Sequence, residues 1–177
     1  EKAIGIGNYE GLYEYANTFA NEGDFEKAKE IILEGIRWAE MQDPPNIVEK
    51  THFLSFLSHY FEVQGFPEEA LRVMELAVKE VEKSDLFSLN ERAMTFRDYA
   101  STLNVNGYFE KSLNYYEKSE MLIRTTDELE LLALTLNGKA NVLKDLDRSQ
   151  EALENYYFAL DYLKGFEDEI VGMIHAN

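Results

Sequence analysis

The chain has 177 residues, of which 45% are hydrophobic, so it can bury a continuous core and is not expected to be disordered. Its 34 acidic and 17 basic side chains give a net charge of −17, which disfavours binding to nucleic acids and to anionic membranes. Cysteine is absent, which excludes disulfides, thiolate zinc sites and cysteine nucleophiles. Together with the lack of a signal-peptide pattern and of a long apolar run, this predicts a cytoplasmic protein.

A short phrase recurs along the chain at a nearly fixed interval. It begins at Gly23, Gly65 and Gly107, which are 42 residues apart, and a weaker copy begins 40 residues later at Asp147. A period near 40 indicates one array of a repeated supersecondary unit rather than a single globular core. We expect that array to span residues 1–177. Its predicted repeats are residues 8–45, 46–87, 88–127 and 128–167, with the start of a fifth at 168–177.

Each copy of the phrase lies between two helical patterns. In the first repeat, Leu12, Tyr15, Ala16 and Phe19 recur at helical spacing before Gly23, and a second apolar series follows it. Each repeat is therefore predicted to be a helical hairpin. Small residues mark the points where the two helices cross, because a large side chain would separate the backbones. These residues are Ala16, Ala28, Ser58, Ala70, Ala100, Ser112, Ala140 and Ala152.

The residues between the helices predict where each helix ends and begins. The three repeated glycines fit a helix C-terminal position with positive φ, and Asp147 is expected to adopt the same conformation at some cost. Pro67 suits the first turn of a helix. Capping boxes are expected at Ser88 with Glu91 and at Thr125 with Glu128. With a turn at residues 43–46, these signals place helix starts near residues 46, 89 and 126.

The set Leu12, Tyr15, Ala16 and Phe19, followed by Gly23, Phe25 and Ala28, resembles the tetratricopeptide repeat (TPR), and the resemblance covers nearly the whole chain. The repeat here is longer than the usual length of about 34 residues. Repeats of the length found here are similar to those of kinesin light chains and of bacterial regulators. The resemblance implies an all-α fold, a right-handed superhelical array of antiparallel hairpins, whose first helices line a concave groove.

The resemblance also implies that this groove binds a peptide or protein segment. Asn17, Asn137 and Asn141 are the strongest candidates, because an amide can both donate to and accept from a peptide backbone. The alternative is that they are solvated or contact a neighbouring repeat. A neutral or basic partner is expected, since Glu14 and Asp98 oppose an acidic one. The full set of predicted groove residues is Tyr13, Asn17, His52, Ser55, His59, Arg97, Ser101, Asn104, Asn137, Asn141 and Lys144.

No residue pattern points to catalysis. His52 and His59 share a helix face but are seven residues apart, which is too far for both to reach one ion. We therefore predict no metal site, no cofactor and no catalytic residues, and hence no enzyme. The expected function is a protein-interaction scaffold. The alternative is a peptide- or ligand-sensing regulatory domain of a signalling or transcription regulator.

The chain's C-terminal residues continue the apolar spacing of a first helix through Ile170, Met173 and Ile174. We interpret the chain as a fragment of a longer repeat protein, and a short capping helix is the alternative. Unpartnered apolar side chains there would favour self-association through this face.

Overall fold

The computed structural model describes residues 9–163. The predictions made for residues 168–177, including a fifth helix and its self-association face, lie outside the described residues. Within them the chain is entirely helical apart from turns, and no strand is present. The helices are α1 (Tyr9–Asn21), α2 (Phe25–Glu40), α3 (Ile47–Val63), α4 (Pro67–Lys83), α5 (Leu89–Val105), α6 (Phe109–Ile123), α7 (Leu129–Asp145) and α8 (Ser149–Leu163).

Consecutive helices pair as hairpins, α1 with α2, α3 with α4, α5 with α6 and α7 with α8. The chain divides into two compact units, unit 1 up to Ser84 and unit 2 from Asp85. In unit 1, α2 also packs on α3, and in unit 2, α7 packs on both α6 and α5. The predicted all-α array of helical hairpins is therefore confirmed, and its superhelical handedness stays a prediction.

The small residues at the helix crossings are all buried, as the sequence pattern predicted. Two of the crossings also carry a side-chain hydrogen bond. Ser58 on α3 donates to the carbonyl oxygen of Ala70 on α4 at 3.1 Å, and Ser112 on α6 donates to that of Ala100 on α5 at 2.6 Å. The buried hydroxyls are therefore satisfied, and they tie the two helices of each hairpin together.

The four hairpin turns share one backbone geometry. Gly23, Gly65 and Gly107 have φ values of 84°, 79° and 78°, and Asp147 has a φ of 59°. In each turn the next residue donates its N–H to a carbonyl five residues earlier, at 2.8 to 2.9 Å, as Arg148 does to Leu143. This is a Schellman-type helix end, which needs positive φ and therefore favours glycine.

The predictions of helix starts had mixed outcomes. The Ser88–Glu91 capping box is present, with both reciprocal bonds formed at the start of α5. The Thr125–Glu128 box is wrong, because α7 begins only at Leu129. The hydroxyls of Thr125 and its neighbour Thr126 instead donate back to carbonyl oxygens at the end of α6, at 2.7 and 2.9 Å. Threonines between two helices can satisfy either end, and here they complete the earlier one.

Each unit has its own apolar core. The core of unit 1 gathers side chains of α1, α2 and α3 around Ile32, Phe53 and Leu57. In unit 2, one cluster centres on Leu132 and Leu136, and a second cluster centres on Leu113, Tyr116 and Leu143. In the described part of the chain, no helix is both long and apolar enough to cross a membrane.

Candidate functional site

Most of the predicted groove residues occupy three equivalent positions in the first helices, related by the 42- and 40-residue intervals. The positions are four and then three residues apart, so within each helix they lie on one face. The first position holds Tyr13, Ser55, Arg97 and Asn137, the second holds Asn17, His59, Ser101 and Asn141, and the third holds Ala20, Glu62, Asn104 and Lys144. His52 lies three residues before Ser55.

In unit 1, Tyr13 is more deeply packed than a groove-lining residue. Its ring stacks on Phe53 with centroids 4.5 Å apart and planes 13° from parallel. The hydroxyl is buried and has no hydrogen-bond partner among the described residues. Burial, and secondarily the nearby Glu49 carboxylate, raises the pKa of Tyr13 well above its ordinary value. Tyr13 therefore remains a neutral phenol in the wall of the core.

The other predicted residues of unit 1 differ in their surroundings. His52 is half-buried, and its Nδ1 lies 4.0 Å from an Oε2 atom of Glu49. Ser55 is also half-buried, whereas Asn17 and His59 are exposed. The structure brings Asn17 and His59 together at one cavity, although they lie on different helices.

This cavity has a volume of about 350 Å³ and lies among α1, α2 and α3. Its lining is mostly apolar, with three exposed polar side chains, those of Asn17, Asn21 and His59. The remaining lining residues are Ala20, Phe25, Ala28, Ile32, Phe56, Tyr60 and Val63. The unit therefore offers a small apolar recess with amide and imidazole groups beside it.

In unit 2, two predicted groove residues carry buried polar atoms without partners. Asn104 on α5 and Asn137 on α7 are half-buried, and the side-chain oxygen Oδ1 of each is enclosed with no donor among the described residues. A buried acceptor without a donor costs about 1–3 kcal/mol. Most buried polar atoms in folded proteins have partners, so two such amides on contacting helices require an explanation.

The remaining predicted residues of unit 2 are engaged internally or open to solvent. Arg97 is bonded to its neighbour Asp98, with Nη2 2.6 Å from Oδ1. Asn141 accepts a hydrogen bond from the Tyr156 hydroxyl of α8 at 2.5 Å. Ser101 and Lys144 are exposed. Asn141 is therefore an internal link of its own hairpin, unlike Asn137 one turn earlier.

The first helices of the two units differ in charge. Helices α5 and α7 each carry two acidic and two basic residues, so this pair is neutral. Helix α1 carries two acidic residues and no basic one, and α3 carries two acidic residues and one basic residue. The first helices of unit 2 therefore carry no net charge as a pair, whereas those of unit 1 carry a net negative charge.

The apolar residues of the cavity were not predicted from the sequence, in which Phe25 belonged to the repeat pattern and Phe56 and Tyr60 had no assigned role. A signal for the cavity does exist at Ala20. Its equivalents in the other repeats are longer and polar, so Ala20 occupies less space than the residue at this position elsewhere in the chain. Among the described residues no group of three or more His, Asp or Glu side chains is placed to hold a metal ion.

No family model and no curated protein matches the chain. Solved structures do match it. The crystal structure of BtubC (BKLC) from P. vanneervenii superposes with a TM-score of 0.81 at 20% identity, covering 90% of this chain and 64% of that one. The chain thus spans less than two thirds of that protein.

Two further structures extend the comparison. A putative kinesin light chain of Podosopora anserina with nearly identical TPR-like repeats matches with a TM-score of 0.72 at 14% identity, covering 90% of this chain and 77% of that one. The chain has a TPR-like repeat fold. PlcR of Bacillus thuringiensis, solved in complex with the peptide PapR7 and DNA, matches with a TM-score of 0.59 at 10% identity, covering 98% of this chain and 75% of that one.

Proposed function

We propose that the chain is a protein-interaction scaffold that holds an extended peptide by its backbone against the first helices. The observation that carries the proposal is that the side-chain oxygens of Asn104 and Asn137 are buried and have no hydrogen-bond donor among the described residues. Rotation of each amide about its last torsion would turn the oxygen toward a bound chain, whose N–H groups would then supply the missing donors.

The charge of α5 and α7 supports the same ligand. A neutral surface with amides fits main-chain groups, which are polar and uncharged, better than it fits a carboxylate or a phosphate. Two cationic side chains on these helices, Arg97 and Lys144, could bind a carboxylate, but Arg97 is already paired with Asp98. An acidic partner is therefore disfavoured, and a neutral or basic segment is expected.

The test is a fluorescence-anisotropy screen of a random peptide library, followed by titration of the peptides that bind. Replacing either amide, Asn104→Ala or Asn137→Ala, is expected to weaken binding about tenfold or more, since each lost hydrogen bond to a desolvated group is worth about 1–3 kcal/mol. The matched control is Asn114→Ala, which removes an exposed asparagine from the second helix α6 and is expected to change nothing.

A different surface would give a different pattern. If the partner docks on the second helices, charge reversal at the exposed residues Glu26, Glu68 and Glu110 will abolish binding, while Asn104→Ala and Asn137→Ala leave it unchanged. A library without any binding peptide counts against the scaffold itself.

The second candidate is a peptide-sensing regulatory domain, which the likeness to PlcR favours because that protein was solved with a peptide and DNA. In this case the parent protein carries an output domain, and a peptide that binds the first helices changes its activity. Assaying the parent protein with and without the selected peptide separates the two candidates. If the peptide does not change the activity of the parent protein, the scaffold function is supported and the sensing function is not. The absence of enzyme activity stays a prediction in either case.

A further inference from the structure

The cavity of unit 1 differs in chemistry from the amide-bearing helices of unit 2. Phe25 and Ile32 of α2 and Phe56 and Tyr60 of α3 contribute its apolar walls. Its volume of about 350 Å³ is close to the lower end of the ~300–1,000 Å³ range of ligand pockets. A recess of this size and polarity accommodates one apolar group rather than a large ligand.

Two alanines keep the recess open, and only one of them is required by the fold. Ala28 is 1% exposed and belongs to the α1–α2 crossing, where a larger residue would separate the helices. Ala20 is half-buried, and its equivalents Glu62, Asn104 and Lys144 are longer, so this position tolerates size in the other repeats. The space beside Ala20 is therefore not a by-product of helix crossing.

The recess has polar side chains beside it, and the residues that flank its α1 lining in the chain are acidic. Asn17, Asn21 and His59 are exposed beside it and can hydrogen-bond the main chain on either side of an inserted group. Glu14 lies one helical turn before Asn17, and Glu22 follows Asn21; both carboxylates are exposed. A cationic group beside the recess would be attracted, and an anionic one repelled.

We propose that this recess anchors one apolar side chain of a peptide that carries a lysine or arginine on each side of it. The proposal rests on the proposed peptide-binding function and adds a side-chain requirement that the backbone contacts of unit 2 do not impose. The anchor gains by leaving water, and the flanking cations gain by approaching Glu14 and Glu22. Burial, with a smaller effect of Glu26, raises the pKa of Tyr60 in the wall of the recess, so an acidic group also lies on its α2 side.

The test uses the full chain, labelled with ¹⁵N, and three end-capped pentapeptides, Ala-Lys-Leu-Lys-Ala, Ala-Lys-Ser-Lys-Ala and Ala-Glu-Leu-Glu-Ala. Binding is followed through the amide resonances of Ala20 and Val63. The first peptide is expected to bind about tenfold or more tightly than the second, because burying a leucine side chain is worth more than one decade in affinity. It is also expected to bind more tightly than the third peptide, and high salt is expected to reduce this difference in affinity because it screens the charges.

Cavity-filling variants test the location. Ala20→Leu is expected to weaken binding of the first peptide about tenfold or more, by occupying the space of the anchor. The control is Asn114→Leu, which adds a leucine at an exposed position of α6 in unit 2 and is expected to leave this binding unchanged. If Ala20→Leu impairs folding, Val63→Ser at an exposed lining residue is expected to weaken binding about threefold or more.

Equal binding of the leucine and serine peptides would overturn the proposal, as would full affinity in a folded Ala20→Leu or Val63→Ser variant. These failures differ from failure of the proposed function. If library-selected peptides still bind and still respond to Asn137→Ala, the scaffold stands and only the anchor is wrong. If no peptide of the library binds at all, the proposed scaffold function itself is contradicted.

Discussion

The hydroxyl of Ser112 donates a hydrogen bond to the carbonyl oxygen of Ala100, 2.6 Å away, where α6 crosses α5. In the preceding hairpin the arrangement is reversed, because Ser58 lies on the first helix and bonds to Ala70 on the second. The crossing therefore requires two small residues, and a serine is tolerated on either helix because a carbonyl oxygen of the other helix accepts a hydrogen bond from its hydroxyl.

This packing predicts that enlarging either side of a crossing is destabilising. Ala100→Leu and Ala140→Leu are each expected to lower the free energy of unfolding by about 1–3 kcal/mol, since neither site has room for a larger side chain. Urea denaturation followed by circular dichroism measures the change. Ser101→Leu, at the exposed residue next to Ala100, is the control and is expected to have little effect. Unchanged midpoints in both alanine variants would mean that the crossing is misplaced.

The positive φ of Asp147 predicts a stabilising substitution. Asp147→Gly is expected to raise the free energy of unfolding by up to about 1 kcal/mol, because a left-handed conformation costs an ordinary L-residue roughly 1–2 kcal/mol and glycine far less. The reverse change at the equivalent turn, Gly107→Asp, is expected to lower stability by a similar amount. The same urea experiment compares the two. A destabilised Asp147→Gly variant would show that the carboxylate contributes more than the backbone conformation costs.

The stability of the chain is predicted to respond differently to the same substitution at Asn137 and at Asn141. Asn141→Ala loses the bond from Tyr156 and is expected to lower stability by about 0.5–1.5 kcal/mol. Asn137→Ala removes an unpartnered buried acceptor, so the free energy of unfolding is expected to stay constant or to rise. Both variants gain the helix propensity of alanine, so their difference isolates the hydrogen bonding. Equal losses in both would mean that Asn137 has a stabilising partner.

Glu120 predicts a pH dependence of the stability of unit 2. Burial acts to raise the pKa of Glu120, but hydrogen bonds and charges from Lys139 and Arg124 outweigh it and hold the pKa below its ordinary value of 4.5. Both folded and unfolded states are ionised above that value, so the stabilisation is fully present there. As the pH falls below 4.5 the unfolded state takes up the proton first, and the stabilisation is lost progressively.

The measurement is the free energy of unfolding of the chain at several pH values between 7 and 3. Glu120→Gln is expected to lower stability at pH 7 and to reduce the loss that acid causes. Glu130→Gln, at an exposed residue of α7, makes the same change in net charge and serves as the control. An identical acid profile in the wild type and Glu120→Gln would contradict the assignment.

Much of the fold could be predicted because its requirements are local. A glycine at a fixed interval needs only its own backbone conformation, and a small residue at a crossing needs only its size. Thr125 failed as a predictor because its hydroxyl can serve the helix before it or the helix after it. Nothing within the four residues of the motif decides between these outcomes.

The candidate site was less predictable, because partners come from other helices. Asn137 and Asn141 are the same residue type on the same face of α7, and both were predicted from the sequence to line the groove. Only the position of Tyr156 on α8 separates them, since its hydroxyl engages one amide and leaves the other. The recess of unit 1 likewise depends on what Ala20 fails to fill, which is a relation among three helices.

The unpartnered oxygens of Asn104 and Asn137 also determine how a ligand can be found. A molecule that donates hydrogen bonds to these oxygens binds only the folded state of the chain. At a free concentration one hundred times its Kd, such a ligand stabilises the folded state by about 2.7 kcal/mol. The melting temperature of the unlabelled protein is therefore a screening signal that works before any partner has been identified. Because the single tryptophan, Trp38, lies in unit 1, its emission reports on melting of that unit, whereas a dye that binds any exposed apolar surface reports on both.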